Sequence, residues 1–221
     1  MREPGSDPRT MQAPTGFHPD RALDTHDLTD DPIELFGRWL DDAASAGVPL
    51  PNAMAVATAD RAGRPSVRHV LLRGVDHRGF TFYTNYGSRK GRQLEENPWA
   101  GLVFLWKELD RQVSVTGSVE RTSDAESDAY FAERPRDAQL GAWASEQSTP
   151  IPTRDHLDDR LATYATTFGA GHVPRPAWWG GFRIAPTAIE FWQGRPHRLH
   201  DRFRYERSDT SSAWHVERLA P

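Results

Sequence analysis

Residues 190–203 read EFWQGRPHRLHDRF and gather Arg195, His197, Arg198, His200 and Arg202 beside Phe191, Trp192 and Phe203. Side chains alternate along an extended strand, so Arg198, His200 and Arg202 would share one face and His197, Leu199, Asp201 and Phe203 the other. Cationic and titratable groups lined up beside Trp192 suit a flat, anionic, aromatic ligand. An exposed edge strand carries similar charges to discourage unwanted pairing, and residue type alone leaves both readings open. A metal site fits poorly here, because His197 and His200 face opposite ways and Arg198 and Arg202 would repel a cation.

Three further segments could bind anions. In YTNYGSRKGRQLEENP, Ser88 is a natural N-cap for a helix from Arg89 to about Glu96. That helix carries Arg89 and Lys90 at its positive end and Glu95 and Glu96 at its negative end, the reverse of what the helix dipole favours. A phosphate bound at the N-terminus would turn the basic half of that misplacement into a gain. In RHVLLR, Arg68 and Arg73 are an odd number of residues apart and fall on opposite faces of a regular strand. Both serve one ligand only if the strand is bulged or the ligand wraps its end. In DAYFAERPRDAQLGAW, Tyr130 and Arg134 share a helical face and can converge on one phosphate, with Pro135 breaking the helix.

The elements that would position these residues follow from patterning. Residues 1–30 are rich in Pro, Asp, Thr and Gly without apolar periodicity, and read as a flexible arm before a domain spanning 31–221. Asp31-Pro32 opens a helix with an apolar stripe of Ile33, Phe36, Leu40 and Ala44. Strands are expected over 53–59, 67–75, the segment GFTFYTN, GLVFLW and RQVSVTGSVER, then near 181–184, 188–193, 198–205 and 214–219. Helices are expected over about 123–144 and 153–168. Strands joined by short turns with helices inserted point to an antiparallel barrel of the α+β class. No GxGxxG, GxxxxGK[ST] or GxSxG motif is present, which disfavours Rossmann, P-loop and hydrolase readings.

Composition narrows the partners. Lys+Arg 27 against Asp+Glu 31 gives a net charge of −4, so no global basic field argues for nucleic acid. Cys 0 excludes disulfides, a thiolate nucleophile and cysteine metal sites. No apolar run approaches membrane-spanning length and no signal-peptide core is seen, so a cytoplasmic location is expected.

Taken together, the words DPIELFGRWL, RHVLLR, FYTNYGSRKGRQLEENP, RQVSVTGSVER, YFAERPRDAQLGAW, WGGFR, EFWQGRPHRLHDRF and RLAP resemble the pyridoxine (pyridoxamine) 5′-phosphate oxidase family, in the same order, from about residue 31 to the C-terminus. The resemblance implies an FMN-binding split β-barrel, antiparallel and Greek-key-like with flanking helices, working as a homodimer with flavin at the subunit interface. It implies that Arg68, Arg73, Tyr83, Thr84, Arg89, Lys90, Gln112, Gln147, Ser148, Trp192 and Arg202 bind FMN. It further implies a substrate set of Arg73, Tyr130, Arg134, Ala138, Arg198 and His200, with Arg198 and His200 against the reacting ring. The implied reaction is oxidation of pyridoxamine or pyridoxine 5′-phosphate to pyridoxal 5′-phosphate, with O2 as acceptor and H2O2 as product. Three positions and the N-terminal arm depart from the family pattern. Arg73 stands where Lys is usual, Ala138 where Ser is frequent and Leu50 where an acidic residue often precedes Pro-x-Ala-Met, and the arm lacks an Arg-x-x-Tyr pattern. A paralogous oxidase of another small aromatic, as in phenazine biosynthesis, and a non-catalytic FMN or pyridoxal phosphate carrier are the alternatives.

Overall fold

A computed structural model describes residues 21–221, and the first part of the expected arm lies outside them. Residues 21–30 are seated on the domain: Leu23 is buried, and the Tyr205 hydroxyl donates to the Thr29 carbonyl at 2.9 Å. The first helix, α1 (Pro32–Ser45), starts where the sequence places it, with the Asp31 carboxylate accepting from Ile33 N–H at 2.9 Å. Its buried stripe of Leu35, Phe36, Trp39 and Ala43 closes the core. There Phe36 meets Phe80 and Phe104 at centroid separations of 4.9 Å each.

The strands are β1 (Ala53–Ala59), β2 (Pro65–Leu71), β3 (Gly74–Asp76), β4 (Gly79–Asn85), β5 (Trp99–Trp106), β6 (Arg111–Arg121), β7 (Trp179–Gln193), β8 (Asp201–Glu206) and β9 (His215–Arg218). They form one curled antiparallel sheet in the order β2-β1-β5-β6-β7-β4-β3, with β8 on β7 and β9 on β8. The sequence suggests two strands near 181–184 and 188–193, whereas β7 runs unbroken through both. It pairs with β4 along its first half and β8 along its second. The bend between the halves coincides with a register shift at Thr116/Gly117 on β6. A Cβ on Gly117 would lie 2.1 Å from the Ala185 carbonyl oxygen, so only glycine lets the strands approach there.

Two expected strands are corrected. The run 67–75 is not one strand: β2 ends at Leu71 and β3 begins at Gly74, with Arg73 N–H turned to the Thr81 carbonyl at 2.8 Å. The strand expected over 198–205 begins only at Asp201, after a one-turn 3-10 helix, Pro196–Arg198. Pro196 has no N–H for a ladder, and His197 and Arg198 adopt φ values of 60° and 62° that no strand continues. Arg198 therefore ends the 3-10 turn and His200 sits in the short loop between it and β8.

The helical insertions are α2 (Arg89–Glu96), α3 (Asp124–Glu133), α4 (Arg136–Ala144) and α5 (Asp155–Phe168). Pro135 separates α3 from α4, as its missing N–H and fixed φ require. Among the described residues no helix is long and apolar enough to cross a membrane.

Candidate functional site

A cleft of about 940 Å3 opens between the end of β2, β4, the start of α2 and the α3–α4 corner. Of the residues singled out from the sequence, it brings together Arg68, Arg73, Tyr83, Thr84, Lys90, Tyr130, Arg134, Ala138 and Gln147. The conflict between Arg68 and Arg73 is resolved by the break after Leu71, which frees Arg73 from strand alternation and lets both arginines line the cleft.

At one end, α2 points its N-terminus toward the cleft. Ser88 caps it by accepting from Gly91 N–H at 3.2 Å. A Cβ on Gly91 would lie 2.0 Å from the Tyr86 carbonyl oxygen, so glycine is what seats this helix so closely. Lys90 is only 7 % exposed, and its Nζ donates to Thr84 Oγ1 at 2.8 Å, Ser88 Oγ at 3.2 Å and Gln147 Oε1 at 2.8 Å. Every acceptor is neutral. Burial, and secondarily the nearby Arg68 charge, lower the Lys90 pKa to about 8. Arg68 is itself held below its usual pKa by desolvation and by Arg89, which is exposed at the helix start. Among the described residues no carboxylate forms an ion pair with Arg68, Arg89 or Lys90. Cations desolvated against neutral dipoles at a helix N-terminus fit a phosphate.

The other end is aromatic and also cationic. Tyr83, Tyr130 and Trp179 stack, with Tyr83–Tyr130 centroids 4.0 Å apart at 17° and Tyr130–Trp179 6.1 Å apart at 7°. The Arg134 guanidinium lies 4.5 Å from the Trp179 ring centroid and donates to the Ala138 carbonyl at 2.9 Å, while Arg73 lies 5.8 Å over Tyr130. Burial, opposed by Tyr130 and assisted by Arg73, leaves Arg134 below its usual pKa. Sequence reading missed Trp179. The adjoining Gly180-Gly181 pair packs so closely that a Cβ would strike the Tyr86 hydroxyl and the Thr122 side chain respectively, a closeness that only the folded chain reveals.

The remaining singled-out residues lie elsewhere on the chain. Gln112, Trp192 and Arg202 form one cross-strand row on β6, β7 and β8. The His200 ring sits 4.5 Å from Trp192. Its Nδ1 accepts from Arg195 N–H at 3.1 Å, so the neutral ring carries its proton on Nε2. Desolvation and the Arg198 charge lower its pKa, which keeps it neutral near pH 7. Arg202 pairs with Glu190 at 2.7 Å. Ser148 follows Gln147 with φ 73°, and neither it nor Leu50 lines the cleft. On β1 the half-buried Ala53, Ala55 and Ala57 form an alanine strip opposite the buried Met54 and Val56; Val67, 65 % exposed, pairs with Ala57, and Leu105, 53 % exposed, pairs with Gln112 of the second cluster.

A curled antiparallel sheet with helices over one end, holding an aromatic cleft with cations at both ends, has the architecture of a split barrel. Residues 40–168 match the family described as pyridoxamine 5′-phosphate oxidase, and residues 179–221 match the pyridoxine 5′-phosphate oxidase C-terminal dimerisation region. The pyridoxine/pyridoxamine 5′-phosphate oxidase of Salinibacter ruber is 56 % identical over 195 residues, 88 % of this chain and 91 % of that protein. Among solved structures, PhzG from Burkholderia lata, in complex with tetrahydrophenazine-1-carboxylic acid, superposes with TM-score 0.86 at 34 % identity, covering 92 % of this chain and 99 % of its own. An FMN-binding protein related to pyridoxamine 5′-phosphate oxidase, from Nostoc punctiforme, shares the fold with TM-score 0.66 at 18 % identity, covering 85 % and 96 %. The chain belongs to the pyridoxamine 5′-phosphate oxidase family, a family of oxidoreductases.

Proposed function

We propose that the protein oxidises pyridoxamine 5′-phosphate or pyridoxine 5′-phosphate to pyridoxal 5′-phosphate, as a homodimer with FMN at each of two interface sites. The observation that carries this is the presence of two separate cationic ends in one aromatic cleft, enough for a flavin phosphate and a substrate phosphate. Arg68, Arg89 and Lys90 hold the flavin phosphate, with Gln147 and Thr84 framing it. Tyr130, Arg134 and Arg73 grip the substrate phosphate. When bound, FMN supplies the hydride acceptor for oxidation at the substrate C4′ carbon, and O2 then takes the electrons to give H2O2.

The second cluster completes the site from the other copy. Pairing of two chains through the alanine strip and the dimerisation region would set Trp192, Arg198, His200 and Arg202 of one protomer against the cleft of its partner. Arg198 and His200 then lie against the substrate ring and orient C4′, with His200 neutral as its environment dictates. The phenazine-type alternative is not favoured, since identity to PhzG is 34 % against 56 % to the Salinibacter ruber oxidase. Oxygen uptake with pyridoxamine 5′-phosphate and FMN, accompanied by formation of the aldehyde, tests the assignment. Uptake confined to a non-phosphorylated aromatic acid would overturn it.

The pH response of flavin binding should follow Lys90. Its pKa is lowered to about 8 by burial and by the Arg68 charge, whereas a bound phosphate dianion favours the ammonium. Binding therefore takes up a proton at higher pH. FMN affinity should be flat just below about pH 8 and fall by up to about tenfold per pH unit above it. Fluorescence titration of apoprotein reads this directly, and Lys90→Met should weaken binding and flatten the profile in that window. An unchanged slope in Lys90→Met would remove Lys90 from the phosphate site.

A further inference from the structure

Gln93 lies on α2 beneath the phosphate end of the cleft and is 5 % exposed. Its amide Oε1 accepts from two hydroxyls at once, Thr58 Oγ1 on β1 and Ser66 Oγ on β2, each at 2.6 Å. The same hydroxyls accept from Arg68, Thr58 from Nη1 at 2.8 Å and Ser66 from Nη2. Arginine only donates and an amide oxygen only accepts, so each hydroxyl proton has a single direction available. The polarity runs from guanidinium N–H through hydroxyl to Gln93 carbonyl along two parallel routes. Nη1 also donates to the Val56 carbonyl at 3.0 Å. These bonds commit both Nη1 protons and one Nη2 proton inward; among the described residues Nε–H and the second Nη2–H meet no acceptor, which leaves them for an anion. That pair is the fork a bidentate phosphate contact requires.

We propose that Gln93 is a positioning residue for flavin binding: by fixing the Thr58 and Ser66 hydroxyls, it holds Arg68 in the orientation that presents its free fork to the FMN phosphate. The role rests on the flavin reading given above. Without the Oε1 acceptor, both hydroxyl protons lose their partner and turn, and the guanidinium loses the hydroxyl lone pairs that anchor it.

Apoprotein titrations with FMN and with riboflavin, which lacks the phosphate, separate positioning from packing. Gln93→Met keeps length without the acceptor, and is expected to weaken FMN about tenfold while riboflavin affinity changes by less than about twofold. Ser66→Ala on the outer strand β2 is the milder variant, expected to weaken FMN about threefold with an unchanged circular dichroism spectrum. In a Thr58→Val/Ser66→Ala background, Gln93→Met should add less than about twofold, because its route to Arg68 is gone. Equal losses for FMN and riboflavin, or an undiminished Gln93→Met effect in that background, would show that Gln93 only packs helix against strand and would overturn the proposal. If Arg68→Ala weakens FMN but Gln93→Met does not, the positioning role alone fails. If Arg68→Ala leaves FMN affinity unchanged, the phosphate reading of the cleft fails and this role with it.

Discussion

Arg134→Ala should cut kcat/KM for pyridoxamine 5′-phosphate by about 100- to 1,000-fold while changing that for pyridoxamine by less than about threefold, erasing the preference for the phosphorylated form. The guanidinium rests 4.5 Å from the Trp179 centroid and is tethered to the Ala138 carbonyl at 2.9 Å, so it is pre-oriented before any ligand arrives. A half-buried, pre-oriented arginine can form a bidentate charge-assisted pair, each bond contributing about 1.5–3 kcal/mol. The absent hydroxyl at Ala138 removes one neutral donor, a smaller effect of about 0.5–1.5 kcal/mol. Arg73 carries the same positive charge as a lysine and can pair with phosphate through two N–H groups, so the preference for phosphate is expected to survive that exchange. Flavin content should be unaffected, because Arg134 lies at the opposite end of the cleft from Lys90. Parallel losses on both substrates would mean that Arg134 supports the fold of the α3–α4 corner and does not grip phosphate.

Mixing two variants that are each inactive on pyridoxamine 5′-phosphate should restore activity on that substrate. Arg134→Ala disables the cleft, and Arg198→Ala/His200→Ala disables the loop cluster. If one site draws on both protomers, a mixed dimer carries one site with both halves intact and one with neither. Random reassortment at equal amounts makes about half the dimers mixed, so activity should return to about a quarter of the unmutated level from near zero in either parent. The loop variant should retain its flavin spectrum, since Arg198 and His200 are placed on the substrate side. A mixture no more active than its parents, with subunit exchange verified by mass, would mean that each chain builds its whole site alone. That result would leave the separation of Trp192 and His200 from the cleft without a purpose.

Local chemistry in the sequence determined several elements outright. Asp31-Pro32 starts α1 and Ser88 starts α2, because a side-chain acceptor and a fixed φ act within a few residues of themselves. Pro135 divides α3 from α4 for the same local reason. The basic start of α2, whose Lys90 lines the cleft, was legible as well, since charge placed against a helix dipole is read without tertiary contacts. The tertiary structure decided what shares a space. Arg68 and Arg73 line one cleft because the chain leaves β2 at Leu71 to pair Arg73 with Thr81 on β4, a cross-strand hydrogen bond that alternation along one strand does not contain. Arg198 and His200 left the expected strand because Pro196 and two left-handed residues break the ladder before Asp201. Trp179 and Gln93 emerged only in three dimensions, one through stacking on Tyr130 and the other through hydroxyls brought from two strands. Capping and helix breaking are set by neighbours in sequence, whereas stacking and shared acceptors depend on which strands the sheet makes adjacent.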